Sequence, residues 1–191
     1  MTMPVAERMT AAKFLALPVP ERGRPWNLVD GEVVVNEPTR LHAGALGALH
    51  LALGSWTEGE EAARGEASLA VDVELDGRNV FAPDLLWWAE GRVPPRDARP
   101  PYPMPDIAVE VRSPATWRYD IGEKKAGYER HGLPELWLLD TVADRVRVLR
   151  RSHPGGPRFD VEFDLGSEKT LTSPLLPGFE LPLAGVFPER R

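Results

Sequence analysis

The sequence predicts an α/β fold in which a mixed central sheet is flanked by helices. Three observations lead there. From about residue 41 the apolar patterning runs helix, strand, strand, strand, helix, strand. The pairs Asp30-Gly31 and Asp76-Gly77 lie between alternating apolar residues and mark hairpins. In "DIAVEVRSP", Ile107, Val109 and Val111 alternate toward a core, while Asp106, Ala108, Glu110 and Arg112 take the opposite face.

Taken in order, Thr10 can cap a short first helix, "AAKFLAL", which Pro18 closes. "WNLVDGEVVV" predicts a hairpin. Leu41 to Trp56 is the longest helical run, apolar nearly all round and so expected to be buried, with His50 a core histidine. "ASLAVDVEL" and "NVFAPDLLWWAE", joined by Asp76-Gly77, predict a second hairpin whose return strand contains Pro83-Asp84. Six prolines between 91 and 105 make that stretch a surface loop. After the Asp106 strand comes a helix from about Ile121 to His131, stopped by Gly132. "ELWLLD", "DRVRVLR" and "RFDVEF" predict three more strands, and a Pro-rich tail begins at Ser173.

A chain of 191 residues is expected to form one domain. Its core would span about 41–150, with a helix and hairpin at 10–36 before it and strands and a tail at 151–191 after it. The absence of cysteine excludes disulfides and thiolate metal sites, so a metal would need Asp, Glu, His or carbonyl oxygen. No apolar run approaches the roughly 20 residues of a membrane span. The patch Phe14–Val19 is broken by Pro18 and lacks a basic region before it, so it is a poor signal peptide and cytoplasm is the expected compartment. A net charge of −6 argues mildly against a protein that merely coats nucleic acid, and does not exclude a nuclease, whose metal site itself needs carboxylates.

The candidates for metal-assisted chemistry are Asp84, Asp106, Glu110 and Asp120. Asp106 and Glu110 share a strand face but lie roughly 13 Å apart at about 3.3 Å per residue, too far to chelate together. Asp84, on a neighbouring strand, can face Glu110 across about 4.8 Å. Two of the four lysines among 23 basic residues, Lys124 and Lys125, are adjacent on the next helix, with Tyr128 one turn after Lys124. "GRVPPRDARPPYP" and "RVRVLRRSHPGGPR" could grip phosphates through arginine, or be solvated loops. There is no G-x-S-x-G, Walker A loop or Rossmann glycine fingerprint.

"LVDGEVV", "RLHAGALGALH", "APDLLWW", "PDIAVEVRSP" and "RYDIGEKKAGYERHGLPELWLLD" together resemble a bacterial family of restriction-endonuclease-like proteins within the PD-(D/E)XK nuclease superfamily. The resemblance covers about residues 10–187. It implies the superfamily's αβββαβ core and a Mg²⁺- (or Mn²⁺-) dependent cleavage of DNA. Asp84 and Glu110 would bind the metal with the Val111 carbonyl, and Lys124 would supply the lysine that usually stands two residues after the second acid. Arg112 occupies that place here and would at most bind phosphate, since arginine does not act as a base near pH 7. His42 and Tyr128 become accessory residues, and Lys125 and Arg118 nucleic-acid contacts. Asn27 stands where relatives commonly carry Glu. A homodimer is expected, because two strands call for two sites. The alternatives are an inactive nuclease-fold protein acting in DNA binding or assembly, and a carbohydrate or nucleotide hydrolase using Asp84 and Glu110 as an acid–base pair.

Overall fold

The computed structural model describes residues 8–18, 26–59 and 63–187. Helix α1 (Ala11–Leu15) starts where Thr10 accepts the Lys13 N–H. Strands β1 (Trp26–Val29) and β2 (Glu32–Val35) form the predicted hairpin, with Asp30 and Gly31 both at positive φ as a tight primed turn requires. Helix α2 (Arg40–Glu58) is capped by Thr39.

α2 corrects the expectation of all-round burial. Only the stripe His42, Ala45, Leu49 and Leu53 is buried, because a helix lying on a sheet can cover only one of its faces. Leu41 and Leu51 point outward at 52% and 71% exposure, and His50 is half-buried rather than a core residue.

The second predicted hairpin is really two pairs of strands. β3 (Glu66–Leu69) and β6 (Leu85–Trp88) pair at one edge of a six-stranded sheet. β4 (Val73–Asp76) and β5 (Asn79–Phe81) pair in a four-stranded sheet of order β2-β1-β5-β4. The ribbon turns from one sheet to the other at Ala82-Pro83-Asp84, where Pro83 has no N–H to continue a ladder. Asp84 therefore sits in the bend, not within a strand. The N–H of Ala82 is held by the side-chain oxygen of buried Asn27, 2.8 Å away.

β7 (Ile107–Val111) runs antiparallel to β6 and parallel to β8 (Glu135–Asp140). β9 (Arg145–Arg150) and β10 (Val161–Gly166) complete the sheet in antiparallel fashion, β10 starting later than "RFDVEF" suggested. The sheet is thus mixed, as predicted. The helix after β7 begins earlier than the sequence indicated: α3 (Trp117–Tyr119) runs into a π-helical turn (Asp120–Lys124) and then α4 (Lys125–Arg130). Gly132, at φ +85°, ends it. In the tail, β11 (Thr170–Leu171) pairs with β12 (Leu181–Pro182).

Each face of the large sheet has its own cover. Ile107, Val109, Val111 and Trp137 meet α2 and the tail, where Phe179 stacks on Trp137. Ala108, Leu136 and Leu138 meet Tyr128 of α4 and Phe81 of the small sheet. The apparently wet face of β7 is consequently roofed by helix, and Glu110 is buried.

Gly127 permits that roof. A Cβ there would lie 2.8 Å from the ring of Phe81, which is itself fully buried edge-on to Tyr128. Although alanine is the better helix former, Gly127→Ala is expected to lower stability by about 1–3 kcal/mol through overpacking, read as a lower midpoint in thermal or urea unfolding.

Candidate functional site

Three elements converge below the bend. The register Leu85↔Val109 brings Asp84, one residue before β6, level with Glu110 on β7. The backbone N–H of Val111 donates to Asp84 Oδ2 at 2.7 Å, so Asp84 is fastened to the neighbouring strand. Asp84 Oδ1 accepts from Asn36 Nδ2 at 3.1 Å, and His42 Nε2 on α2 stands 3.2 Å from the same oxygen. That histidine geometry is too skewed for a good hydrogen bond. Both ring nitrogens of His42 and the Oδ1 of Asn36 are buried without a hydrogen-bond partner among the described residues.

From the other side, the π-helical turn places Lys124 Nζ 2.5 Å from Glu110 Oε1 and 3.2 Å from Asp120 Oδ1. Tyr128 donates its hydroxyl to the same Glu110 oxygen at 2.7 Å. Lys124 is only 2% exposed and lies 5.7 Å above the Phe81 ring. Asp120 Oδ2 accepts from Thr116, whose hydroxyl is 2.7 Å from that of Ser113. Sequence reasoning passed over Asn36 and Thr116, found no nucleophile's partners for Ser113 and left Asp120 unused. The four-residue spacing of Asp120 and Lys124 was the signal that could have placed Asp120.

Burial governs the electrostatics. It pushes the Glu110 carboxyl up to about 8, despite the opposing charge of Lys124 and helped by Asp120 and Asp84. It raises Asp120 as well, against the pull of Lys124. Burial alone would depress Lys124, but Glu110 and Asp120 outweigh it and hold the ammonium above its ordinary value. Tyr128 is pushed well up by burial and by Glu110, so it stays a donor.

The remaining sequence candidates lie elsewhere. Asp106 accepts the Ala89 N–H and pairs with Arg92 at the far end of β7. Arg112 is held by both oxygens of Asp140 at 2.9 Å and lies over Trp117. Lys125 stands 3.7 Å from Glu162, and Arg118 stacks on Tyr119 while donating to its hydroxyl.

Three carboxylates, Asp84, Glu110 and Asp120, thus share one buried ammonium. When all are ionised the cluster carries a surplus of two negative charges, which a divalent cation would balance, and its oxygen donors are those that Mg²⁺ prefers. The unpartnered atoms of Asn36 and His42 beside Asp84 fit a site completed by a bound group. Among the described residues no three Asp, Glu, His or Cys side chains form a ready-made cage. Two carboxylates with bound waters agree with the coordination habit of Mg²⁺.

The model of the Uma2 family, described as "Putative restriction endonuclease", matches residues 11–184. A crystal structure of a putative nuclease belonging to DUF820 from Anabaena variabilis ATCC 29413 shares the fold, with a TM-score of 0.75 at 18% identity over 94% of this chain and 97% of that one. No curated protein matches significantly.

The Glu110 shift has a sign that can be measured. Between its ordinary 4.5 and about 8, the folded protein keeps a proton that the unfolded chain has lost. The stability this proton contributes is intact below pH 4.5 and disappears as pH rises to about 8. Glu110→Gln does not titrate, so its melting temperature relative to wild type is expected to rise across that window in thermal melts run in chelator-treated buffer.

Proposed function

The chain belongs to the Uma2 family, and from that premise we propose that it is a Mg²⁺- (or Mn²⁺-) dependent endonuclease that hydrolyses phosphodiester bonds of DNA at the Asp84–Glu110–Lys124 cluster. The observation that carries the reading is the buried meeting of Asp84 and Glu110 across β6 and β7, with a lysine delivered by the following helix. Asp84, Glu110 and the Val111 carbonyl would hold the metal. When bound, it would supply an activated water and neutralise phosphate charge.

The chain's own groups divide the remaining work. The Val111 N–H and Asn36 fix the rotamer of Asp84, so that its carboxylate is preorganised. Tyr128 and Lys124 do the same for Glu110. Lys124 keeps its proton between two carboxylates, so its part is that of a point charge beside the developing phosphate charge, not of a base. His42, next to Asp84, would be an accessory group. Arg112, committed to Asp140, would at most add positive potential, and Lys125 and Arg118 would contact the nucleic-acid backbone. Cutting both strands of a duplex calls for two sites, and thus for a homodimer.

Two observations favour a second reading, a nuclease-fold protein that binds DNA or assembles without cutting. Lys124 is already paired with both Glu110 and Asp120, and Arg112 fills the position where the superfamily keeps its lysine.

Plasmid nicking separates the two. Wild type with Mg²⁺ or Mn²⁺ is expected to cut, while Asp84→Ala and Lys124→Ala lose about 10²-fold or more of the rate. A wild type that fails to cut, or variants that cut equally, would remove the enzyme reading. Independently, Mg²⁺ or Mn²⁺ is expected to raise the melting temperature of wild type and leave that of Asp84→Ala unchanged.

A further inference from the structure

The two arginine-rich stretches of the sequence have no part in the cluster above, yet the fold brings them together. Arg92, from the loop after β6, and Arg150, Arg151 and His153, from the end of β9, line one pocket of about 390 Å³. Asp106 lines it too, which puts it at the start of β7, four residues and roughly 13 Å from Glu110. The two sites therefore lie at opposite ends of the strand.

Charge in this pocket is unbalanced toward the positive. Asp106 is engaged by the Ala89 N–H at 2.8 Å and by Arg92 at 3.2 Å. Arg151, nearly buried, gives its guanidinium to the backbone carbonyls of Leu133, Gly156 and Glu129, none of which carries a compensating charge. It lends the pocket an uncompensated charge while clamping the loop that follows β9. Arg150 makes a long ion pair with Glu135 at 3.9 Å and lies over the Phe163 ring, so Arg92 and Arg150 are each matched by one carboxylate and Arg151 leaves the surplus. The loop is further held by Ser152, which donates its N–H and hydroxyl to Asp160. Pro134, Pro174 and Leu175 line the same pocket and give it an apolar wall.

We propose that this pocket binds a phosphate ester, with the oxyanion between Arg92, Arg150 and His153 and the organic body against the Pro134–Pro174–Leu175 wall. Guanidinium groups match a phosphate in both charge and fork geometry, and a partly apolar pocket of this size suits a molecule larger than the bare ion. The ester could be a free nucleotide or a phosphate of a nucleic-acid strand. The chemistry is the same and the experiment tells the sources apart.

The full-length protein, in buffer with chelator to keep the acidic cluster free of metal, is titrated calorimetrically with inorganic phosphate, adenosine monophosphate, adenosine and a short DNA duplex. Adenosine monophosphate is expected to bind more tightly than phosphate or adenosine. Arg150→Gln and the more exposed Arg92→Gln and His153→Gln should each weaken it about tenfold, the loss of one charge-assisted hydrogen bond. Asp84→Ala should leave it unchanged. Binding of the duplex alone, lost in the same three variants, also upholds the site and names its ester as a strand phosphate. The proposal is overturned if no phosphate-bearing probe binds, or if binding survives all three substitutions. A preserved melting temperature in Arg92→Gln and His153→Gln excludes misfolding as the cause of a loss.

Discussion

The structure on the bend side of the sheet depends on one constraint: an ammonium group, Lys124, lies almost wholly out of water. A lone buried charge is too costly to keep, so its surroundings must supply opposite charge at contact distance. Glu110 and Asp120 do so, from the sheet and from the helix's own preceding turn. That pairing fixes where the α3–α4 segment sits on β7. In that seat no room is left for a side chain between Gly127 and the Phe81 ring.

The π-helical turn belongs to the same arrangement. Asp120–Lys124 is the stretch where the helix widens, and it is the stretch that carries both members of the ion pair. Such turns commonly mark functional sites because they re-aim side chains without ending the helix. The bend at Pro83 is its counterpart on the sheet. By ending the β5 ladder, the proline frees Asp84 to take the Val111 N–H with its side chain, so the acid is positioned by hydrogen bonds rather than by strand geometry alone. Asn27 and Asn36 brace the bend from the small sheet and its exit. The helix that carries His42 closes the third side.

The sheet has two chemically different ends. One gathers carboxylates around a single lysine; the other gathers guanidinium groups around one engaged carboxylate, Asp106. β7 connects them, with an acid near each end of one face, roughly 13 Å apart along the strand. Among the described residues no helix is long and apolar enough to cross a membrane, and the sheet's faces are spent on α2, the tail and α4.

Local chemistry made most of the elements readable in the sequence. Asp30-Gly31 and Asp76-Gly77 can adopt positive φ or tight turns, Gly132 ends a helix, and alternating Ile107, Val109 and Val111 make a strand, because each depends on neighbours a few residues away. The apposition of Asp84 and Glu110 was readable too, since strand spacing excluded Asp106 and left a partner on the adjacent strand. What the sequence alone could not decide depended on long-range contact. The break of one predicted hairpin into two sheets, the one-sided burial of α2 and the capture of Arg112 by Asp140 arise between residues far apart in the chain. So do the partnership of Lys124 with Glu110 and the meeting of two arginine stretches in one pocket. Periodicity tells which face of an element is apolar; only the assembled fold decides what covers that face, and a buried charge takes its role from what covers it.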